Sequence, residues 1–231
     1  MTRFQVIVLF VSVFLIALIA LCPLGAGIAV SGLGASGLSA RAATGTIWSG
    51  SLSDAYFGPV PLGDVDVALY PLPLLTGRAE LGVSGISGTG RVTGGAGSFG
   101  VGEVAAKLSL AKVFAPLPLD ILALNDVTVR FDDGRCKAAE GRVHASFTGD
   151  IAGLDLQSGL SGDARCDAND LMLPLVSPSG TQRLGLHIAG DGRWNAVLTV
   201  QATDPAMIEK LGGAGFRPVA GGYVLRLSGR V

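Results

Sequence analysis

Apolar and polar residues alternate with a period of two in seven segments of the chain, and glycine-containing stretches separate these segments. Such alternation is typical of strands that bury one face and expose the other to water. The segments, together with 35 glycines, predict a curved or partly rolled antiparallel sheet of about ten to twelve strands. The alternating segments are residues 64–70, 79–84, 126–131, 142–148, 183–188, 196–201 and 223–228.

Helical signals are few in the same part of the chain. Residues 205–211 follow Asp204, a good N-cap residue, and begin with a proline, which the first helical turn tolerates. A second short helix is expected within 111–124, although Pro116 and Pro118 interrupt it. The predicted fold class is therefore mainly β with one or two short helices.

The N-terminal segment has a different pattern, because residues 4–24 are almost wholly apolar and no charged residue lies between Arg3 and Arg41. About 20 helical residues cross a hydrocarbon core of roughly 30 Å. Pro23 and Gly25 end the apolar run. The sequence thus predicts a single transmembrane helix ahead of the β-structure.

This segment has three interpretations. A cleaved signal peptide would use small residues at 25–27 or 40–42, but its apolar region normally spans only about 7 to 15 residues. A lipoprotein signal would use Cys22, but Leu21 occupies the position where a small residue is needed. A retained signal anchor is favoured, and the positive charges of Arg3 and the amino terminus place the N-terminus in the cytoplasm. The remaining chain is then exported.

The predicted organisation is a cytoplasmic stub and anchor at 1–30, a flexible small-residue linker at 31–44, and a periplasmic β-domain at 45–231. Without Arg3, the 17 basic residues become 16, against 18 acidic ones, so the exported part carries a net charge of −2. A basic nucleic-acid-binding surface is not indicated. An outer-membrane barrel would fit the alternation, but it conflicts with the anchor and with an aromatic content of 6%.

Residues suited to catalysis or metal binding are scarce. His144 and His187 both lie in alternating segments, where a solvent-facing role is expected. Gly95, Gly97 and Gly100 match a dinucleotide-binding pattern, but neither the βαβ context nor the acidic ribose partner is present, so we interpret them as turns in a sheet. We predict no catalytic residue, cofactor, metal site or small-molecule substrate.

Cys136 and Cys166 are the two cysteines outside the membrane segment. They are either a disulfide or two unrelated buried thiols. Export to an oxidising periplasm favours the disulfide.

Residues 45–50 (GTIWSG) mark the expected start of the folded part, and their notable members are Gly45, Thr46, Trp48 and Gly50. The tryptophan between glycines is expected to pack as a large apolar lid on the sheet.

The order and spacing of several short motifs resemble the type II secretion system protein N family. The resemblance covers nearly the whole exported part. It rests on the anchor, residues 45–50, the two cysteine segments, MLPL at 172–175, DGRW at 191–194 and the C-terminal AGFRPVAGGYVLRLSG. The family implies a non-enzymatic, bitopic inner-membrane protein whose periplasmic β-domain contacts other secretion components, either the inner-membrane platform or the secretin. It also implies a disulfide between Cys136 and Cys166.

Two functions follow as hypotheses from these patterns. The first is a scaffold or adaptor of the secretion machine that docks partners through strand edges or a sheet face. The second is a lipid-binding β-groove of the cell envelope, which the apolar content of 49% suggests.

Overall fold

A computed structural model describes residues 3–31, 34, 37–110, 113, 119–148, 156 and 158–230. These residues form four helices and sixteen strands. The helices are α1 (Arg3–Ala20), α2 (Leu24–Ser31), α3 (Pro71–Leu74) and α4 (Pro205–Gly213). The strands are β1 (Leu38–Ser39), β2 (Ala42–Thr46), β3 (Ser49–Phe57), β4 (Val60–Leu69), β5 (Arg78–Gly85), β6 (Gly88–Gly95), β7 (Ser98–Ser109), β8 (Leu119–Asp132), β9 (Arg135–Phe147), β10 (Leu160–Asp163), β11 (Arg165–Asp167), β12 (Asp170–Val176), β13 (Gln182–Ile188), β14 (Arg193–Val200), β15 (Arg217–Val219) and β16 (Gly222–Arg230).

All sixteen strands belong to one antiparallel sheet in which neighbours along the chain are mostly neighbours in the sheet. Both β1 and β2 pair with β3, at opposite ends of that strand. At the other end of the sheet, β16 lies between β14 and β15. Within the described residues these two ends do not pair with each other, so the sheet is open. This confirms the predicted fold class, with more strands than the ten to twelve expected.

Each of the seven alternating segments lies within a strand or extends no more than one residue beyond it. The glycine-rich residues 94–100, interpreted as turns, contain the end of β6, a tight turn and the start of β7. The helix predicted at 205–211 is confirmed, because α4 begins at Pro205 and a side-chain oxygen of Asp204 accepts a hydrogen bond from the Ala206 amide at 3.1 Å.

The second predicted helix, within 111–124, is wrong where it can be compared with the structure. Residues 119–124 form the start of β8, in which Leu119 and Leu122 point into the core. Of the preceding residues in that range, only Val113 is described.

The sheet rolls strongly between β4 and β7. These strands lie three strand spacings apart, about 14 Å in a flat sheet, yet their Cα atoms approach within 8 Å. A bulge shifts the register between β6 and β7 within this region, and further bulges follow between β7 and β8 and between β8 and β9. Bulges bend strands and increase their twist, so they account for part of the curvature.

The pairing register divides the sheet into an apolar and a polar face. The apolar face, which includes Val67, Val129, Val143, Leu186 and Leu198, faces the core. Over β8–β16 it is covered by apolar residues outside the strands, namely Leu110, Leu156, Leu211 and Phe216. Leu211 of α4 is fully buried, and burial of one such side chain contributes about 1.5–3 kcal/mol.

A smaller core joins the N-terminal helices to the sheet. Leu24, the first residue of α2, is buried with Leu52, Val65 and Val67 on the apolar face of β3 and β4. The α1 helix buries none of its residues. Of the range expected to be a linker, residues 38–39 and 42–44 pair with β3, so strand structure begins before Gly45.

Candidate membrane-proximal and partner-binding surfaces

The end of α1 is fixed to the sheet through the turn at Ile47 and Trp48. The Ile47 amide donates a hydrogen bond to the Cys22 carbonyl at 3.0 Å, and the Trp48 Nε1 donates to the Ile19 carbonyl at 3.0 Å. Ile19 lies in the last turn of α1, where carbonyls lack partners within the helix. The β-structure is therefore held directly against the helix end.

The segment 45–50 forms a tight hairpin in which Thr46 pairs with Ser49 and Gly45 pairs with Gly50. Gly45 has a φ of +84°, and a Cβ there would lie 2.6 Å from the Ser49 carbonyl oxygen. A Cβ at Gly50 would lie 2.6 Å from the Thr44 carbonyl oxygen. The two glycines permit close backbone approach across the hairpin. This explains why glycines occur at both ends of the GTIWSG segment.

Trp48 was expected to form a lid on the sheet. The structure instead places it in the hairpin turn, half-buried, where it lines a cleft with Ile16 and Ile19 of α1. Its indole thus packs toward α1.

Cys136 and Cys166 form the predicted disulfide. It joins the start of β9 to β11, a three-residue strand that pairs with β12 and with no other described strand. The Cys136 amide also donates to the Asn169 carbonyl at 2.7 Å. The disulfide therefore ties a small peripheral hairpin to the long central strands.

Both histidines lie on the polar face of the sheet. His144 Nδ1 is 2.8 Å from the Ser161 Oγ on the neighbouring strand, and His187 pairs with Asn195. Within the part of the chain that the structure describes, no group of three His, Cys, Asp or Glu side chains is placed to hold a metal ion.

The polar face of β5–β7 carries a ladder of charges. Arg91 forms ion pairs with Glu103 and with Glu80, the latter at 3.5 Å. The hydrogen bond that Arg91 donates to Glu103 and the negative charge of Glu103, with a weaker contribution from Glu80, raise the pKa of Arg91. Arg91 and Glu103 are exposed and Glu80 is half-buried, so the ladder indicates that this face lies in water.

A part of the apolar face that no described residue covers spans β5–β7. We call it the exposed apolar strip and define it by Leu81, Val92, Phe99 and Val101, which follow one another across the paired strands. Phe99 is 48% exposed even though its ring stacks on Phe131 at 5.0 Å between centroids. On the apolar face of the sheet, the strip lies between the region that α2 covers and the region that α4 covers.

The last strand of the sheet leaves a second uncovered feature. β15 pairs with residues 222–224 of β16, whereas no described residue pairs with the outer side of 225–230. We call this stretch the free edge of β16. Alternate residues of an edge strand direct their amide and carbonyl groups outward, so the stretch can accept a further strand.

We compared the sequence with models of known protein families. The family model for type II secretion system (T2SS) protein N matches residues 36–226, which include the sheet from its first strands into β16. The chain belongs to the type II secretion system protein N family. No curated protein and no solved structure matches the chain.

Membership makes the protein an accessory component of type II secretion and implies association with the inner membrane. The match begins after α2. The α1 helix is long and apolar enough to be a candidate membrane span.

Sequence reasoning missed the free edge of β16 and the exposed apolar strip. The alternation of 223–228 predicted a strand but carried no signal for its position at the sheet edge. The strip was not predicted because β6 has the sequence GTGRVTGG, and glycines lower strand propensity.

Proposed function

We propose that this protein N family member is a bitopic scaffold of the secretion machine. In this proposal α1 stays in the inner membrane, the N-terminus is cytoplasmic and the β-domain lies in the periplasm. Arg3 is the first residue of α1, and no other charged side chain occurs before Arg41, which supports this orientation. The disulfide between Cys136 and Cys166 supports an oxidising compartment. The proposal assigns the protein no catalytic activity and no cofactor.

The observation that carries the scaffold role is the free edge of β16. A partner strand added there would gain backbone hydrogen bonds along about six residues, as in β-augmentation. Arg226 and Arg230 lie on this edge, on the polar face of the sheet. Because cross-strand pairs of opposite charge are favourable, the edge favours a partner strand with acidic residues. The proposed partners are the inner-membrane platform or the secretin.

Site-specific photo-crosslinking in cells that make the complete secretion system tests this role. A photoreactive residue replaces Ser228 on the free edge or, as the matched control, Asn195. The two positions face each other across β14 and β16 and are both exposed, but β14 is paired on both sides. We expect adducts with platform or secretin proteins from position 228 and not from 195. Absence of such adducts from 228, or equal adducts from both positions, would contradict the role of the edge.

The exposed apolar strip favours a second candidate function, which is the binding of lipid acyl chains along the sheet. Mass spectrometry of the purified exported part, prepared without detergent, would detect copurifying phospholipid. Lipid should be lost in Val92→Asp, because this side chain lies within the strip. It should be kept in the control Ile86→Asp, whose side chain lies in a distant turn. Absence of phospholipid from the unchanged protein would remove this candidate.

A further inference from the structure

An exposed apolar segment connects β4 to β5. We call residues 70–75 (YPLPLL), which include α3, the α3 loop. Leu72 is 76% exposed and Leu75 is 83% exposed. No charged residue occurs from 67 to 77. Contiguous exposed apolar patches typically mark contact sites for a membrane or for another protein. The composition of the α3 loop therefore favours an apolar environment.

The α3 loop lies beside the end of α1. An open cleft of about 580 Å³ separates the two, with Ile16 and Ile19 on the helix side and Trp48, Tyr70 and Pro71 on the sheet side. The hydrogen bonds from Ile47 and Trp48 to the end of the helical segment hold this arrangement in place.

The length of α1 determines what surrounds the cleft. Its 18 residues extend about 27 Å at 1.5 Å per residue, close to the roughly 30 Å thickness of a hydrocarbon core. If α1 crosses the membrane from its charged start at Arg3, its last turn lies where lipid meets water. The α3 loop lies at the same depth.

We propose that the α3 loop inserts into the outer interface of the bilayer that α1 crosses, and that phospholipid covers Leu72 and Leu75. Trp48 and Tyr70 line the adjoining cleft, and the amphipathic rings of Trp and Tyr are enriched at membrane interfaces. The loop thereby provides a second attachment that orients the sheet on the membrane. This inference rests on the proposed membrane crossing of α1.

The same sheet offers a matched control at its opposite end. Ile86 is 95% exposed in the turn between β5 and β6. β5 runs from the α3 loop to this turn and has 8 residues. At 3.3 Å per residue, the turn lies about 26 Å from the start of the strand. A bilayer at the end of α1 would leave Ile86 in water.

Fluorescence quenching on the full chain tests the proposal. In a Cys22→Ser background with the disulfide kept oxidised, a single cysteine is introduced by Leu75→Cys, Ile86→Cys or Val11→Cys, the last near the middle of α1. Each is labelled with an environment-sensitive fluorophore and reconstituted into vesicles of phosphatidylethanolamine and phosphatidylglycerol. One quencher is a lipid with a nitroxide on the upper acyl chain, and the other is iodide in the water.

We expect the lipid nitroxide to quench the probe at 75 at least about twofold more strongly than the probe at 86, as interfacial insertion requires. Equal quenching by iodide at 75 and 86, with the probe at 11 protected, would overturn the inference and leave the anchor intact. Protection of the probe at 75 from both quenchers would also overturn it, because protein rather than lipid would then cover the loop. Iodide access at 11 would contradict the membrane crossing itself.

Discussion

Reduction of the disulfide between Cys136 and Cys166 should destabilise the sheet without any change in sequence. The bond closes a loop with a separation of 30 residues. In the chain-entropy treatment, a loop of this size contributes about 3–4 kcal/mol to the free energy of unfolding, because it restricts the unfolded chain. The measured value should approach this figure, since Cys136 lies at the start of a long central strand.

The first structural consequence should be local. Among the described residues β11 (Arg165–Asp167) pairs only with β12. After reduction its connection to β9 rests on backbone hydrogen bonds near its two ends, from the Ala164 amide to the Gly141 carbonyl and from the Cys136 amide to the Asn169 carbonyl. Short peripheral strands open at a lower free energy than central ones. Amide hydrogen exchange should therefore accelerate at β11 and the start of β9, while β13 and β14 remain protected until global unfolding.

Urea unfolding of the full chain in dodecyl maltoside measures the global effect, with tryptophan fluorescence as the signal. Oxidised and reduced samples of the Cys22→Ser variant are compared, so that one redox-active pair remains. A loss of about 3–4 kcal/mol should lower the urea midpoint by roughly 1–2 M. A midpoint unchanged by reduction would refute the assigned contribution of the bond, and a change in the slope alone would show that the unfolded state had changed instead.

Three further predictions follow from the packing and the charges. Gly141→Ala should destabilise the protein by about 2 kcal/mol or more, because Gly141 has a φ of +104° and a Cβ there would lie 2.3 Å from a backbone oxygen. Thermal unfolding measures this loss. The control is Gly185→Ala, where a Cβ meets open space, and its stability should be nearly unchanged. Leu211→Ala should cost about 2–5 kcal/mol in urea unfolding, since this side chain of α4 is fully buried; a loss below 1 kcal/mol would contradict the packing of α4 on the sheet. An NMR titration should give Asp191 a pKa below its ordinary value, chiefly because the Arg193 backbone amide donates a hydrogen bond to it and secondarily because of the Arg193 side chain. The contribution of Asp191 to stability is present above about pH 4 and is lost as the pH falls through the lowered pKa. Arg193→Ala should raise this pKa only partly, because the backbone hydrogen bond remains.

The strands with strict alternation were predictable because burial of one face imposes a period of two on the sequence. β13 (QRLGLHI) shows this clearly, since Leu184 and Leu186 are buried while Arg183, Gly185 and His187 face the other side. β6 and β12 lacked the signal. β6 has glycines at four positions, and β12 (DLMLPLV) contains a proline and a nearly continuous apolar run.

The surfaces assigned to partners and lipid depend on long-range arrangement, which local patterns do not carry. The position of β16 beside β14 and β15 is fixed by the order of the whole sheet. The cleft beside Trp48 exists because residues 29 positions apart, Trp48 and Ile19, share a hydrogen bond. By contrast, the cysteine pair was predictable, because only two cysteines remained outside the apolar segment.

The state of the N-terminus in the inner membrane tests the central claim most directly. We predict that mass spectrometry of the protein purified from inner-membrane fractions will find residues 1–24 still attached to the β-domain. A mature chain that begins after residue 24 would contradict the retained anchor, and with it the membrane-bound scaffold and the insertion of the α3 loop.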